Sequence, residues 1–246
     1  MELNPNKTVA ELALEMPALL PVLEELGIDY CCGGTATLEE ACRTANVTVG
    51  QVEKMFEERS AFAESGEHNW LREPLFGLIA YIVNHHHYFT RREMVRLDQL
   101  LHKVCAAHGD KHAELFRVRD LFRSLSDELL LHMAREEQVL FPYITDLEKR
   151  FTRHEPVYAP AFGTVLNPVR MMMQEHDSAG ATLKLIRRLA ADYSVPPDAC
   201  MTWFALYQGM QEFEQDLHRH IHLENNLLFP RAAKLEEKAE LTAAIA

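Results

Sequence analysis

The fold is decided by two stretches of sequence, HMAREEQVLFP (132–142) and HIHLENNLLFP (220–230). They share His, Glu, Leu, Phe and Pro at the same places, with an offset of 88 residues. Each contains His-x-x-x-Glu, and residues four apart in an α-helix lie one above the other on the same face. Each copy therefore predicts a helix that directs an imidazole and a carboxylate to one point.

A second repeated feature is a histidine in the apolar stripe of the helix that precedes each motif. The interval from His87 to His132 is 45 residues, and that from His176 to His220 is 44 residues. A duplicated helix pair of this kind brings four imidazoles and two carboxylates to the centre of a bundle. The predicted ligands are His87, His132, Glu136, His176, His220 and Glu224.

The ligand of the first helix is one of two adjacent histidines. A helical wheel places His86 nearer than His87 to the centre of the apolar stripe. The internal repeat, in contrast, aligns His87 with His176. The alignment favours His87, and His86 is the alternative.

This set of donors fits two divalent metal ions. Two carboxylates can bridge the ions and two imidazoles can bind each of them, which leaves room for a small molecule. Imidazole and carboxylate ligands suit iron or manganese, and the motifs offer no thiolate. The spacing differs from the Glu-x-x-His of ferritin-like di-iron bundles, which argues against a ferritin.

The remainder of the chain is also predicted to be helical, because no long alternation with a period of two indicates a sheet. The breaks between the long helices are short, which favours an antiparallel four-helix bundle. These long helices are expected near 74–105, 112–150, 167–192 and 198–238.

The N-terminal part predicts a separate small helical domain over residues 1–66, with the turn DYCCGG (29–34) between its short helices. The bundle is predicted over residues 67–246. The boundary falls in AESGEHNW (63–70), which is small, polar and without periodicity.

Composition and charge exclude several classes of protein. The formal net charge of −12 argues against nucleic acid and against an anionic membrane surface as partners. No apolar run is long enough to predict a transmembrane helix, and the N-terminus lacks the features of a secretory signal. The five cysteines follow no regular framework, so the chain is expected in the reducing cytoplasm.

Taken together, the motifs resemble the repair-of-iron-centres family of bacterial di-iron proteins, which have a hemerythrin-like domain. The resemblance covers nearly the whole chain and is carried by DYCCGG (29–34), EHDSAG (175–180) and the two His–Glu motifs. It implies an antiparallel four-helix hemerythrin-like bundle with two non-haem iron ions, bridged by carboxylates and by an oxo or hydroxo group. It also places the first-helix ligand on His87, with Glu136 and Glu224 as the bridging carboxylates.

The same resemblance implies a function in repairing iron–sulfur clusters damaged by nitrosative or oxidative stress in the cytoplasm. The implied partners are damaged iron–sulfur proteins and the gases NO and O2, and a homodimer is one expected assembly. Two alternative functions are a di-iron nitric oxide reductase and a reversible carrier or sensor of oxygen or nitric oxide.

Four further residues are candidates for chemistry near the metal ions. Cys31 and Cys32 are predicted to be redox-active or iron-handling thiols. The alternative is that they only pack the turn. Glu128 lies one helical turn before His132, and Glu175 adjoins His176. Either carboxylate could accept the proton of a ligand imidazole or relay protons to a substrate, and an exposed carboxylate is the alternative.

The remaining cysteines and two loop histidines are given structural interpretations. Cys42, Cys105 and Cys200 lie in predicted helical segments with apolar neighbours, so they are expected to be packing residues. His108 and His112 lie between two predicted helices and are expected to face solvent.

Overall fold

The computed structural model describes residues 3–31, 33–60 and 70–245. Within these ranges every regular element is a helix, apart from one isolated bridge between Thr8 and Thr37. The prediction of an all-α fold is confirmed, whereas the exact arrangement of four antiparallel helices stays a prediction. In the described part of the chain, no helix is long and apolar enough to cross a membrane.

Most of the helices are α-helices, joined in places by short 3₁₀ or π-helical turns. The 3₁₀ turn is Pro17–Leu19, and the π-helical turns are Ile82–His87, Glu136–Leu140 and Glu224–Leu228. The α-helices are α1 (Val9–Glu15), α2 (Leu20–Glu25), α3 (Leu38–Thr44), α4 (Val49–Ser60), α5 (Leu75–Tyr81), α6 (Tyr88–His108), α7 (Glu114–Arg135), α8 (Phe141–Thr152), α9 (Leu166–Leu189), α10 (Met201–Leu223) and α11 (Phe229–Ile245).

The chain divides into two compact units. The first comprises Met1–Pro74 and Ile221–Arg231, and the second comprises Leu75–His220 and Ala232–Ala246. The predicted domain boundary between residues 66 and 67 lies outside the described residues, as does most of the predicted linker. That boundary therefore stays a prediction.

Two capping boxes fix the short helices of the first unit. The hydroxyl of Thr8 accepts a hydrogen bond from the backbone N–H of Glu11, whose carboxylate accepts one from the Thr8 N–H in return. Thr37 and Glu40 form the same arrangement at the start of α3. Each box satisfies backbone donors that would otherwise have no partner within the helix, so α1 and α3 can form although each is only seven residues long.

The second unit is held together by carboxylates that accept hydrogen bonds from distant helix starts. Glu148 accepts from the backbone N–H groups of Leu75 (2.7 Å) and Phe76 (3.0 Å) at the start of α5. Glu236 accepts from the Val165 N–H (2.9 Å), immediately before α9, and from the Tyr143 hydroxyl (2.5 Å). These contacts fix where both helices begin.

Apolar stripes on the long helices of the second unit form its core, and the buried histidines continue these stripes. In α6 the buried residues Met94, Leu97 and Leu101 recur at helical spacing. His87, which is also buried, lies in the π-helical turn immediately before α6. In α9 the buried stripe itself contains His176. The imidazoles are therefore carried into the interior by hydrophobic burial of the helices.

Both copies of the His–Glu motif run into a π-helical turn that ends just before a proline. The Phe141 N–H bonds to the Glu136 carbonyl and the Phe229 N–H to the Glu224 carbonyl, which is a separation of five residues. Proline has no N–H, and its ring crowds the carbonyl four residues earlier. A π-helical turn widens the backbone at this point and so lets each helix continue through its LFP sequence.

The predictions for the other cysteines and the loop histidines are partly wrong. Cys42 and Cys105 are buried, as expected for packing residues, but Cys200 is exposed. It lies just before α10, and periodicity alone did not show that the helix starts after this residue. His108 and His112 are half-buried and not fully exposed, because both rings pack against Trp203.

Candidate metal centre

The six side chains predicted as ligands are all buried, each with no more than 2% of its surface exposed. Their donor atoms form two groups of four, and within each group all atoms lie within 4.8 Å of one another. Glu136 and Glu224 belong to both groups. The first group is completed by His87 and His220, and the second by His132 and His176. Each group could hold a metal ion, and the two groups have both carboxylates in common.

The imidazoles come together in two pairs around Glu136. The Nε2 atoms of His87 and His220 are 3.1 Å apart, and those of His132 and His176 are 3.0 Å apart. Glu136 Oε2 lies 3.4 Å from His87 Nε2, and its Oε1 lies 3.3 Å from His132 Nε2. One oxygen of this carboxylate therefore faces each imidazole pair, which is the geometry that a bridging ligand needs.

Two outer carboxylates hold one imidazole of each pair. His87 Nδ1 donates to Glu137 Oε1 (2.6 Å), and His132 Nδ1 donates to Glu175 Oε2 (2.8 Å). Because Nδ1 carries the proton in this arrangement, Nε2 presents its lone pair to the centre, as a metal ligand must.

An arginine supports each of these outer carboxylates. Arg91 lies 2.8 Å from Glu137, and Arg135 pairs with Glu175. Burial raises the pKa of Glu137, but the hydrogen bonds from His87 and Arg91 outweigh it and hold this pKa below its usual range. Glu137 is therefore an anion at neutral pH and accepts the hydrogen bond from the Nδ1–H group of His87.

The two carboxylates predicted for proton transfer, Glu175 and Glu128, have different surroundings. Glu175 contacts one of the predicted ligand imidazoles, but the contact is with His132 and not with its sequence neighbour His176. Glu128 is exposed and accepts a hydrogen bond from the Ser124 hydroxyl (3.3 Å). Sequence reasoning missed Glu137, because Asn225 occupies its place in the second motif.

The two adjacent histidines of the first helix have different surroundings. His87 belongs to the donor cluster, whereas His86 directs Nδ1 to Asp216 Oδ1 at 3.0 Å. The His86 ring stacks on His220 with centroids 5.7 Å apart and planes 7° apart. His87 is therefore part of the donor cluster, whereas His86 lies beside the cluster and stacks on one of its imidazoles.

A cavity of about 360 Å³ lies against one side of the cluster, between α7 and α9. Two of the imidazoles, those of His132 and His176, line it together with Glu128 and Glu175. The rest of its wall includes apolar side chains such as Leu129. A small molecule in this cavity would lie beside these two imidazoles.

The DYCCGG turn is organised by an aspartate and by a close backbone approach. Asp29 Oδ1 accepts from the backbone N–H groups of Cys31 (3.2 Å) and Gly33 (3.0 Å) and from the Cys31 thiol (3.4 Å). A Cβ at Gly34 would lie 2.5 Å from the Tyr30 carbonyl oxygen, so only glycine fits there. Cys31 is 4% exposed.

The second cysteine of this turn, Cys32, lies outside the described residues. The role of the thiol pair therefore stays a prediction.

This turn is joined to the helical segment that follows His220. The Asn226 side-chain amide donates to the Tyr30 carbonyl (3.2 Å), and His222 Nδ1 lies 3.3 Å from the same oxygen. Burial lowers the pKa of His222 to about 4, so its imidazole is neutral at physiological pH. The contacts place the turn directly on the segment that includes Glu224.

Comparison with known families agrees with this geometry. Residues 77–232, which contain all six buried donors, match the Hemerythrin HHE cation binding domain. The chain belongs to the hemerythrin HHE family. Its N-terminal residues 5–59 match a second family, described as a domain of unknown function (DUF542). A hemerythrin HHE domain binds cations, and the His–Glu cluster is the group of residues here that could hold them.

Relatives of this hemerythrin HHE protein align over almost its full length. The iron-sulfur cluster repair protein YtfE of Musicola paradisiaca is 36% identical over 94% of this chain and 98% of its own. A probable iron-sulfur cluster repair protein of Haemophilus influenzae is 34% identical, with 95% and 98% covered. YtfE of Pectobacterium carotovorum subsp. carotovorum is 35% identical, with 94% and 98% covered. The resemblance to the repair-of-iron-centres family is confirmed.

Replacing Glu175 by glutamine is expected to weaken metal retention about 10- to 100-fold, because the His132 imidazole loses its anionic acceptor. Arg135 would lose its partner at the same time. Competition with a chelator, followed as the rate of metal loss from the purified protein, measures this effect. Glu128→Gln is the matched control, since that carboxylate is exposed. Equal retention in the two variants would show that the outer carboxylate does not support the ligand.

Proposed function

We propose that the chain binds two non-haem iron ions and acts in the repair of damaged iron–sulfur clusters. The proposed ligands are His87, His132, His176 and His220, with Glu136 and Glu224 as bridging carboxylates and an oxo or hydroxo group completing the bridge. The observation that carries the proposal is the pair of overlapping donor groups that share both glutamates.

The burial of the two glutamates supports a site for cations. Glu136 and Glu224 are both 0% exposed, and burying carboxylates costs several kcal/mol unless positive charge compensates them. Two divalent cations supply that charge where the donors converge. Imidazole and carboxylate donors suit iron, and the outer carboxylates direct the Nε2 lone pairs towards it.

The surrounding residues provide what a reactive centre needs. Bound iron would supply one-electron exchange and open coordination positions for NO or O2. Glu137 and Glu175 hold the ligand imidazoles in one orientation and can take up or return a proton at Nδ1. The cavity beside His132 and His176 gives a small molecule a place next to the centre.

The relatives support the repair function, since they are named for it and align with nearly the whole chain. By that likeness the partners are damaged iron–sulfur proteins. The thiols of Cys31 and Cys32 are suited to passing iron or electrons onward, because thiolates are soft and exchange ligands readily. Since Cys31 is buried, exchange at this thiol requires the turn to open.

The decisive experiment incubates the iron-loaded full chain with an iron–sulfur enzyme whose cluster has been damaged by nitric oxide. Iron transfer and recovery of the client's activity are followed together. Recovery that tracks the loss of iron from this protein supports repair by iron delivery. No recovery above that given by an equal amount of free ferrous iron would contradict the proposal.

Replacing both Cys31 and Cys32 by serine is expected to leave about two irons bound while removing most of the repair activity. The reason is that Cys31 is not in the His–Glu donor groups found among the described residues, and Cys32 lies outside both His–Glu motifs of the sequence. The same assay and an iron determination measure the two effects, and Cys42→Ser, a buried cysteine of α3, is the control. Full activity in the double variant would mean that the pair is structural, and loss of iron would mean that the thiols help to form the centre.

A second candidate function is nitric oxide reduction at the same centre, which the cavity beside His132 and His176 favours. Gas analysis after a single addition of nitric oxide to the reduced protein tests it. Formation of nitrous oxide in stoichiometric amounts supports a reductase. Binding of nitric oxide that reverses without nitrous oxide supports a carrier or sensor.

A further inference from the structure

His86 is a buried imidazole beside the donor cluster, and the six predicted ligands leave one of its ring nitrogens unused. The residue is 5% exposed, and its Nδ1 donates to Asp216 Oδ1 at 3.0 Å. Its Nε2 is buried as well and has no hydrogen-bond partner among the described residues. Polar atoms buried without a partner are rare in folded proteins, so this nitrogen requires an explanation.

The His86 ring is arranged in the same way as two of the predicted ligand imidazoles. In His87 and His132, Nδ1 donates to a carboxylate and Nε2 lies against the Nε2 of another imidazole of the cluster. In His86, Nδ1 also donates to a carboxylate, so Nε2 carries a lone pair. A histidine that binds a metal ion through one ring nitrogen almost always donates a hydrogen bond through the other. His86 therefore has the hydrogen bonding of a metal ligand without belonging to a donor group.

The ring lies next to the first of the two donor groups, which contains His87 and His220. The rings of His86 and His220 are stacked, with centroids 5.7 Å apart and planes 7° apart. The His87 ring contacts the same imidazole, with centroids 4.8 Å apart. Both neighbouring histidines thus pack against one ligand of the first group.

The backbone explains why two consecutive histidines are both buried. The buried positions before them are Leu75, Leu78, Ile79 and Ile82. The buried positions after them include Thr90, Met94, Leu97 and Leu101. Helical spacing continues the first set onto His86 and the second set onto His87. The π-helical turn Ile82–His87 contains one residue more than a regular α-helical turn, so the two stripes meet there one residue out of step.

The location of the inserted residue therefore decides which of the two histidines points towards the first donor group. Where the turn lies now, His87 follows the register of α6. If the inserted residue lay a few positions later, His86 would keep the register of α5 and point inward in its place. Such a change releases a backbone carbonyl near His86. The hydroxyl of Thr90, four residues on, is buried without a partner, and a threonine can donate to the carbonyl four residues earlier.

We propose that His86 is a reserve ligand for the metal ion of the first donor group and replaces His87 when the π-helical turn shifts towards the C-terminus. This inference rests on the proposed two-iron centre. His86 Nε2 takes the coordination position that His87 Nε2 leaves, so one metal–nitrogen bond forms as one breaks. No proton or electron has to move, because the proton of each imidazole stays on Nδ1.

The second donor group has no comparable neighbour around its histidine of α7. His132 lies between Leu131 and Met133, which offer no imidazole. One metal position would therefore be able to exchange a ligand while the other keeps its ligands. A centre of this kind suits a protein that hands on iron one ion at a time.

The test compares iron-loaded full-length variants by their iron content and by the rate of iron loss to an excess of a ferrous chelator. His87→Ala is expected to keep about two irons, because His86 replaces the missing imidazole. His132→Ala is the matched comparison, since it also removes a buried imidazole whose Nδ1 is held by a carboxylate. It should lose iron at least about 10- to 100-fold faster than His87→Ala, the range already expected for loss of an outer hydrogen-bond partner.

Two double variants show whether His86 is responsible. His86→Ala combined with His87→Ala should lose iron as fast as His132→Ala. His85→Ala combined with His87→Ala is the control, because it removes an exposed imidazole of the same run, and it should behave like His87→Ala alone. A crystal structure of iron-loaded His87→Ala should show His86 Nε2 bound to iron.

The proposal is overturned if His87→Ala loses iron as fast as His132→Ala, or if the further removal of His86 changes nothing. Leucine in place of alanine at residues 87 and 132 repeats the comparison if circular dichroism shows that an alanine variant does not fold. Fewer than two irons in the unaltered protein would contradict the proposed centre and this proposal together. Absence of cluster repair by an unaltered protein that holds two irons would contradict the proposed function alone.

Discussion

Alanine in place of Glu136 or Glu224 is expected to remove most of the iron from the purified protein, leaving well under one ion per chain. Each of these carboxylates belongs to both donor groups. In the proposed two-iron centre, its loss would take a ligand from both metal ions at once and would remove negative charge that offsets their mutual repulsion. Iron determination after purification without added chelator measures the effect, and a repair assay should fall in parallel.

Two exposed glutamates on the same helices serve as controls for these variants. Glu128→Ala in α7 and Glu212→Ala in α10 remove a carboxylate of equal size that faces solvent, and both should keep about two irons. Equal losses in all four variants would show that the ligands are misassigned. Full zinc occupancy or a single iron in the unaltered protein would contradict a two-iron centre.

Replacing Glu236 by alanine is expected to destabilise the second unit by about 3 kcal/mol or more. Glu236 is 6% exposed and accepts hydrogen bonds from the Tyr143 and Thr164 hydroxyls and the Val165 N–H. The variant would leave three donors in or near the interior without this acceptor. The melting temperature should fall by about 6–12 °C, measured by calorimetry on the metal-free and the iron-loaded protein.

The neighbouring exposed residue provides the control for that measurement. Glu237→Ala changes the charge of α11 equally but removes no buried acceptor, so its melting temperature should stay within about 2 °C of the unaltered protein. Similar decreases in both variants would mean that the charge of the helix matters and that the buried hydrogen bonds do not.

The clustering of the six donor side chains could be predicted, because it follows from residue spacing within single helices. His132 and Glu136 are four residues apart on one helix, and so are His220 and Glu224. The internal repeat then shows that the two His–Glu pairs occupy equivalent positions in two similar helix pairs. The helical wheel was less useful for the first helix and favoured His86, since it assumes 3.6 residues per turn. Ile82–His87 is a π-helical turn. Its additional residue rotates the direction in which the side chains point by about 100° relative to a regular α-helix.

Other features depend on which helices pack together, and a single sequence does not reveal this. The contact of Glu175 with His132 crosses from α9 to α7, whereas proximity in sequence pointed to His176. Glu137 was overlooked because the second motif has Asn225 at that place. The packing of the His108 ring on Trp203 requires the end of α6 to meet the start of α10, and no sequence motif predicts that contact.

The contact between the DYCCGG turn and the segment after His220 has a consequence for local unfolding. The Tyr30 carbonyl is bonded to Asn226, and Ile221–Arg231 belongs to the same compact unit as the N-terminal residues. Segments that share their contacts tend to exchange their amide hydrogens in one cooperative opening. The turn that carries Cys31 and the helical stretch that carries Glu224 would then open together, so exposure of the thiol and displacement of the proposed bridging carboxylate would be a single event.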